Sequence, residues 1–551
     1  AAANGQRPSA RGRVTRRRAS SIATGRTMAP QTSWRNVQDA EKITAETLNV
    51  WPLDEHNARL LDNVAPAGWQ NPTPAAEYDL VAIGAGSGGL VSAKQAARRG
   101  AKSALVEMHL AGGDCLNVGC VPSKALIRSA RAIKDFRRAE EFGVRVGGPV
   151  APDFSAIMRR MRELRAKIAP ADSYEGTVAA GAHMFQGRAA FTGPHSLRVD
   201  GPDGAVDLTF KKAVIATGGK PVTPPTYQGV PHLTNETLYN LTHLPPRMVV
   251  IGGGPIGLEM AQCFAVFGAQ VTVLVRGDKI LPKEDSDAAR LVHDALVADG
   301  LDVVVRTSVR EARVTGRTTT DTEGRGAFQE VALTCVGPDG AEREVLCDAL
   351  LVAAGRAPNV RGLGLEAAGV DYDERAGVRT DDLLRTSNQD IFAVGDVAHK
   401  FQFTHMSGEM AKMAVENALF GGQWRLSSLV VPWCTYTMPE VAHVGLYEHE
   451  LDAKGEAYDS YMSSLEHNDR AILDGEAEGF VKITCKKGTD EILGATAVAS
   501  HAGDLVAELT LAIQEGVPAG RLARVIHPYP TVGEGTMQAA LGFIRATWKK
   551  M

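Results

Sequence analysis

Two cysteines lie close together in the run Gly112-Gly113-Asp114-Cys115-Leu116-Asn117-Val118-Gly119-Cys120-Val121-Pro122-Ser123-Lys124. About one helical turn separates Cys115 from Cys120, within reach of a disulfide if the backbone bends between them. Pro122 can help to start a helix there. A helix N-terminus and the nearby Lys124 favour thiolate over thiol, and the thiolate is the reactive form. The bare spacing would also suit two structural cysteines. Cys263, Cys335, Cys347, Cys434 and Cys485 are scattered singly and read as small buried or incidental thiols. Seven cysteines in this arrangement do not make a secreted disulfide framework. No metal site is read from the sequence.

A thiol pair that does redox chemistry needs an electron source, and two glycine-rich turns could hold one. Tyr78–Ile83 is a strand by its apolar run. Gly84-Ala85-Gly86-Ser87-Gly88-Gly89 follows, then a helix to about Arg99 and a second strand over 104–107. In this setting Gly84 permits the turn, Gly86 lets the backbone approach a pyrophosphate, and Gly89 lets helix and strand pack closely. The helix N-terminus offers free N–H groups to the phosphates. Glu107 closes the second strand, where a carboxylate accepts hydrogen bonds from a ribose.

The arrangement recurs with a strand over 248–251, Gly252-Gly253-Gly254-Pro255-Ile256-Gly257, a helix to about Phe267 and a strand over 270–275. Gly252, Gly254 and Gly257 repeat the glycine roles, so two dinucleotide sites are expected. Here Val275 occupies the place of the acid and Arg276 follows it. A guanidinium there suits a 2′-phosphate, which favours NADPH over NADH. Arg276 could also be an exposed strand end.

The chain of 551 residues is long enough for three or four domains. With 44% hydrophobic and 23% charged residues, it has ordinary globular composition. A net charge of −4 does not suggest a nucleic-acid partner. No apolar run reaches the ~18 residues of a membrane-spanning helix. Residues 1–38 hold eight arginines and no acid, which reads as a plastid or mitochondrial transit peptide. The alternative is a basic tail on a cytoplasmic protein.

The expected organisation is a leader and linker over 1–76 and a first nucleotide domain over 77–220 that resumes over 346–424. The second nucleotide domain covers 221–345, and a terminal module covers 425–551. Residues 65–76 read as a linker from their Pro and Ala content. The last module alternates strands over 480–484 and 492–498 with a helix at about 505–514, which suggests α+β. The fold class is thus α/β, with two Rossmann-like dinucleotide-binding domains and a C-terminal α+β domain.

The motif GGDCLNVGCVPSK resembles that of the pyridine nucleotide–disulfide oxidoreductases (class I), which include glutathione reductase, dihydrolipoamide dehydrogenase and mercuric reductase. The resemblance runs from about residue 77 to the C-terminus. It implies FAD in the first nucleotide site and NAD(P)H in the second. It implies that Cys120 faces the flavin as the charge-transfer thiol, and that Cys115 attacks the acceptor. Lys124 would lie near flavin N5, paired with Glu259. Gly113, Ala189 of Gly187-Arg188-Ala189, Thr217 and Gly218 of Ala216-Thr217-Gly218-Gly219, and Asp396 of Gly395-Asp396 match further FAD contacts. Gly355 belongs to a run, Ala354 to Asn359, that matches the hinge between nucleotide domains. The resemblance also implies a homodimer whose C-terminal domain completes the partner's active site.

The match departs at the C-terminal end. Disulfide-reducing members carry His-Pro-Thr-x-x-Glu, with the His as acid–base and the Glu orienting it. This chain has His527-Pro528-Tyr529-Pro530-Thr531-Val532-Gly533-Glu534. Alignment on Pro530-Thr531 and Glu534 puts Tyr529 in the histidine's place. With an ordinary pKa of ~10 against ~6.5, Tyr529 is a poor base near neutrality. His527 could substitute if the loop bends. Mercuric reductases also carry a tyrosine here, but this chain has neither their C-terminal cysteine pair nor an amino-terminal CxxC. The sequence therefore reads as an enzyme that passes electrons from NADPH through FAD to Cys115–Cys120. The acceptor would be a small-molecule or protein disulfide, an electrophile or a metal. One alternative is Hg(II) reduction by the pair alone. Another is a flavin-bound redox sensor with little turnover.

Overall fold

The computed structural model describes residues 47–321 and 324–548. The first nucleotide domain is built on β1 (Tyr78–Ile83), whose six residues are almost all buried, as expected of a strand covered on both faces. It pairs in parallel with β2 (Ser103–Glu107) on one side and with the strand Gly204–Ile215 on the other. Helix α2 (Ser87–Arg98) makes the crossover. The outer half of Gly204–Ile215 continues into an antiparallel meander with Ser196–Gly201 and Arg188–Gly193. Much later in the chain, Ile391–Ala393 returns to pair with Gly204–Ile215.

The turn between β1 and α2 requires its glycines. Gly84 has φ +96°, in the left-handed region that favours glycine. A Cβ on Gly89 would stand 1.7 Å from the Gly84 carbonyl oxygen, so only glycine lets this helix seat against the turn.

The second nucleotide domain repeats the plan. Strands Arg247–Ile251, Gln270–Leu274 and Asp302–Val304 run parallel, with the helix Pro255–Phe267 after the first. Ala349–Val352 pairs in parallel with Arg247–Ile251. That strand was expected in the returning part of the first domain, which was taken to start at 346; its ladder places it in the second. Its buried apolar run suits either sheet, so composition alone could not assign it.

The terminal module is α+β. Five antiparallel strands run in the order Trp433–Thr435, Glu440–Gly445, Ile492–Ala499, Phe480–Lys486, Tyr458–Ser464. Helices Ala502–Gln514 and Glu534–Thr547 pack on this sheet. The architecture is therefore two dinucleotide-binding α/β domains and an α+β module.

The reading of residues 1–76 as leader and linker is corrected from Thr47 onward. Helix α1 (Glu55–Val64) is capped by Asp54, whose side chain accepts the N–H groups of His56 and Asn57. Leu60 and Val64, four apart on one helix face, are fully buried with Leu48 and Val50 in the first-domain core. Trp69 Nε1 donates to the Met184 carbonyl at 3.1 Å, and Asn71 exchanges two hydrogen bonds with Gln186. The Pro and Ala content that suggested a linker hides these anchors. The arginine-rich 1–38 lies outside the described residues. Among those described, no helix is long and apolar enough to cross a membrane.

Gly89→Ala is expected to destabilise the protein by at least ~1–3 kcal/mol, the usual range for overpacking, and to lower its flavin content. Thermal unfolding and the flavin-to-protein absorbance ratio check this; an unshifted Tm with full flavin content contradicts it.

Candidate active site

The cysteine motif folds as two short-spaced helices. Helix α3 (Gly113–Val118) follows Gly112 and opens on Gly113, both at positive φ. Gly119 ends it, and helix α4 (Cys120–Arg137) starts at once. Cys115 is half-buried, Cys120 is exposed, and both are free thiols. They face a cavity of about 1870 Å³.

That cavity gathers most of the residues singled out in the sequence. Gly84, Gly86, Glu107 and Gly113 line it, as do Ala189, Thr217, Gly218 and Asp396. Lys124, Glu259 and Gly254 line it from the other side. Gly89, Gly252 and Gly257 are packing positions behind it: a Cβ on Gly252 would stand 2.5 Å from the Ala353 oxygen, and one on Gly257 3.0 Å from the Gly252 oxygen. Gly355 has φ +122°, in the link that leads out of the second domain.

The cavity fits an extended dinucleotide. A Cβ on Gly218 or Gly254 would meet nothing within 4 Å, and one on Gly86 only the Gly113 Cα at 3.9 Å. At these points the backbone is open to a ligand. Neither α2 nor Pro255–Phe267 has a side-chain cap at its N-terminus, so both leave N–H donors for phosphate. Glu107 Oε2 accepts the Ala85 N–H at 2.5 Å and Oε1 the His109 N–H at 2.7 Å. These bonds fix the carboxylate beside the first turn. Arg276 is exposed just past the strand Gln270–Leu274.

The thiols are electrostatically unequal. The Cys115 thiol hydrogen-bonded to Cys120 holds the Cys120 pKa down, to about 6. Burial opposes this, and the Thr404 hydroxyl and the Lys124 charge lower it further. The Thr404 Oγ1 lies 3.3 Å from the Cys120 Sγ. Cys115 moves the other way, through its bond to Cys120 and then through burial. The pair therefore keeps one proton on Cys115 and leaves Cys120 as the thiolate.

Lys124 Nζ donates to Glu259 Oε2 at 2.9 Å. Glu259 Oε1 accepts the Tyr436 N–H at 3.0 Å, and Lys124 Nζ stands 4.1 Å from the Tyr436 ring centroid, within cation–π range. Arg356 donates to Asp114 at 2.5 Å and lies 3.4 Å from Asp396. Thr404 and Tyr436 were not singled out in the sequence, and Arg356 was read only as part of the hinge run Ala354 to Asn359. Thr404 opens the helix Thr404–Leu419, and nothing in its spacing points to a cysteine 284 positions away.

The C-terminal candidates do not join this cavity within one chain. Tyr529 is 72% exposed and donates to Asp469 Oδ2 at 2.7 Å, which pushes its pKa up. Glu534 accepts the Thr531 N–H at 3.4 Å. His527 lies apart from the cavity within one chain, with both ring nitrogens in contact with acceptors. Its Nε2 meets both Glu508 oxygens at 3.1 Å and its Nδ1 meets the Val525 carbonyl at 3.0 Å.

The profile of the family described as pyridine nucleotide-disulphide oxidoreductase matches residues 78–417. Its dimerisation domain matches residues 431–540. The chain belongs to this family. It is 36% identical to a mercuric reductase of Streptomyces lividans, over 85% of this chain and 96% of that one. It is 33% identical to a dihydrolipoyl dehydrogenase of Staphylococcus aureus, over 84% and 96%. Among solved structures, the Cu(II) complex of the HOCl-induced flavoprotein disulfide reductase RclA from Escherichia coli superposes with a TM-score of 0.73 at 26% identity, covering 85% of this chain and 99% of that one. LpdA from Mycobacterium tuberculosis gives 0.74 at 26%, with the same coverage. This oxidoreductase is accordingly an NAD(P)H-dependent flavoenzyme that uses FAD, and its dimerisation domain supports a homodimer.

Cys120 in the reduced enzyme is expected to ionise with a midpoint near 6. Its alkylation rate should fall as pH drops through that value, because protonation removes the nucleophile. Cys115→Ala removes the largest lowering interaction and moves the midpoint up. A wild-type midpoint at or above that of an ordinary thiol, ~8.5, contradicts the assignment.

Proposed function

We propose that this oxidoreductase takes electrons from NADPH and delivers them through the Cys115–Cys120 pair to a soft metal ion or a small electrophile, in preference to a glutathione- or lipoamide-type disulfide. The observation that carries this reading is Tyr529, exposed and hydrogen-bonded to Asp469, where disulfide-reducing members carry a histidine.

Bound FAD would accept a hydride from the nicotinamide and supply two electrons to the thiol pair. The residues proposed to hold it are those lining the first half of the cavity, with Lys124, oriented by Glu259, beside its reacting edge. Cys120, as thiolate, would face that edge. Cys115 keeps its proton and must lose it to attack a disulfide. Tyr529, with its pKa raised by Asp469, stands where the family's acid–base histidine would take that proton and is a poor base near neutrality. A thiophilic metal ion needs no such base, because binding to sulfur itself displaces the proton. The mercuric reductase of Streptomyces lividans and the Cu(II) complex of RclA support this direction. The NADPH preference is supported by the exposed Arg276, with Val275 in place of an acid.

The test is to reduce the enzyme anaerobically with NADPH and offer Hg(II), Cu(II), a quinone, glutathione disulfide and lipoamide. A metal ion or the quinone is expected to reoxidise it fastest, with metal turnover lost in Cys115→Ser. A disulfide that outruns them overturns the proposal. Tyr529→His is expected to raise disulfide turnover about tenfold or more, within the usual span of general acid–base catalysis. NADPH should exceed NADH in kcat/KM by about tenfold, the worth of one charge-assisted contact. Arg276→Ala should remove that preference; equal values in the wild type contradict it.

A further inference from the structure

Residues 47–71 precede the family match, which starts at 78, yet they are tied to both nucleotide domains. On the first-domain side, Arg162 Nε donates to Asp54 and Arg165 Nη2 donates to the Asn57 Oδ1, each at 2.6 Å. The Ala111 N–H donates to the Val64 carbonyl at 2.9 Å. On the other side, Asn49 Nδ2 donates to the Glu236 carbonyl at 3.0 Å. Asn240 Nδ2 returns a bond to the Asn49 carbonyl at 2.8 Å, and the Trp51 N–H donates to Asn240 Oδ1 at 3.3 Å. The segment carrying Glu236 and Asn240 is attached to the second domain, because Leu233 bridges to Leu351.

This segment also walls the cavity. Leu48, Asn49 and Val50 line it together with Glu107, Gly113 and Cys115. Beneath the segment, Arg165 is only 2% exposed. Its Nη1 donates to the Asn117 carbonyl at 2.6 Å and its Nη2 to Asn57. The Arg165 Nε and the Asn117 Oδ1 have no hydrogen-bond partner, and both residues line the cavity. A buried polar atom without a partner is costly, so Arg165 and Asn117 are held in place here by packing as well as by their hydrogen bonds.

We propose that residues 48–57 are part of the FAD site: a strap that closes the first nucleotide cavity by joining the two nucleotide domains. Arg165, held under it, ties the strap to the cysteine helix through Asn57 and the Asn117 carbonyl. The proposal rests on FAD occupying that cavity. The strap delays FAD release, because Leu48, Asn49 and Val50 wall one side of the cavity that the cofactor must leave. It also bounds any processing of the basic N-terminus, since a cut beyond Asn57 would remove the strap.

FAD release, followed by the rise in free flavin fluorescence on dilution, tests this in the full-length holoenzyme. Asn240→Ala cuts the strap's far anchor, and the Asp54→Ala/Asn57→Ala pair cuts its near one. Each is expected to release FAD about tenfold faster, the effect of losing one or two hydrogen bonds. Release at the wild-type rate from both overturns the strap. Hydrogen exchange on the wild-type protein needs no variant to fold. Amides 48–57 are expected to slow when FAD is added to the apoprotein, relative to those of the helix Ala502–Gln514. Equal exchange with and without FAD overturns the strap even though FAD binds. An apoprotein that takes up no FAD contradicts the cofactor assignment, and the strap with it.

Discussion

The ion pair between Lys124 and Glu259 is the contact on which the rest of the site depends. Lys124 belongs to the helix that starts at Cys120, Glu259 to the helix of the second dinucleotide turn, and Tyr436, whose N–H binds the same carboxylate, to the approach to the third domain. One buried carboxylate thus registers three domains against each other at the point where they share a cavity. The Glu259 side chain is only 7% exposed. Removing one partner from a fully buried pair costs about 3–5 kcal/mol; Lys124 is partly open to the cavity, so the cost here is smaller. The sharper consequence is geometric, because a shift of either helix moves the thiol pair relative to the second nucleotide turn.

From that register follows the division of labour between the thiols. Cys120 opens its helix and meets Thr404, Lys124 and the Cys115 proton, all of which favour its charge. Cys115 lies in the preceding helix and keeps the proton. A dithiol of this kind is poised to give up electrons, but its outer thiol needs help to attack a disulfide. Tyr529, fastened to Asp469 on the surface of the third domain, offers little of it. The contacts that set the thiols lie within one chain, whereas the C-terminal loop that carries Tyr529 does not reach the cysteine cavity of its own chain.

What could be read from the sequence was what is local. The two glycine turns, each with its strand and helix, and the cysteine run are contiguous, and their roles follow from backbone geometry over a few residues. The departure at Tyr529 was also legible, because Pro530, Thr531 and Glu534 fix its place. Thr404 and Tyr436 were not, since each reaches the site from a separate element and carries no spacing signal, and Arg356 showed only as part of the hinge run, not as a partner of Asp114 and Asp396. His527 looked available because its acceptor, Glu508, comes from a helix earlier in the chain. The ordered segment before the first nucleotide strand was hidden because Trp69 and Asn71 sit in the Pro- and Ala-rich 65–76, and Leu48 and Asn57 sit in a stretch that carries no motif. The strand Ala349–Val352 was assigned to the wrong sheet because a buried apolar run does not reveal its neighbour.

The central claim is that electrons entering from the nicotinamide nucleotide reach Cys115 and Cys120. Oxidised holoenzyme can be alkylated under denaturing conditions before and after one equivalent of NADPH is added without oxygen, and the labelled cysteines mapped by mass spectrometry. The account predicts that both Cys115 and Cys120 become labelled only after reduction, while Cys263, Cys335, Cys347, Cys434 and Cys485 label equally in both samples. Reduction of the flavin with no new label on Cys115 and Cys120, or with new label at other cysteines, would contradict it.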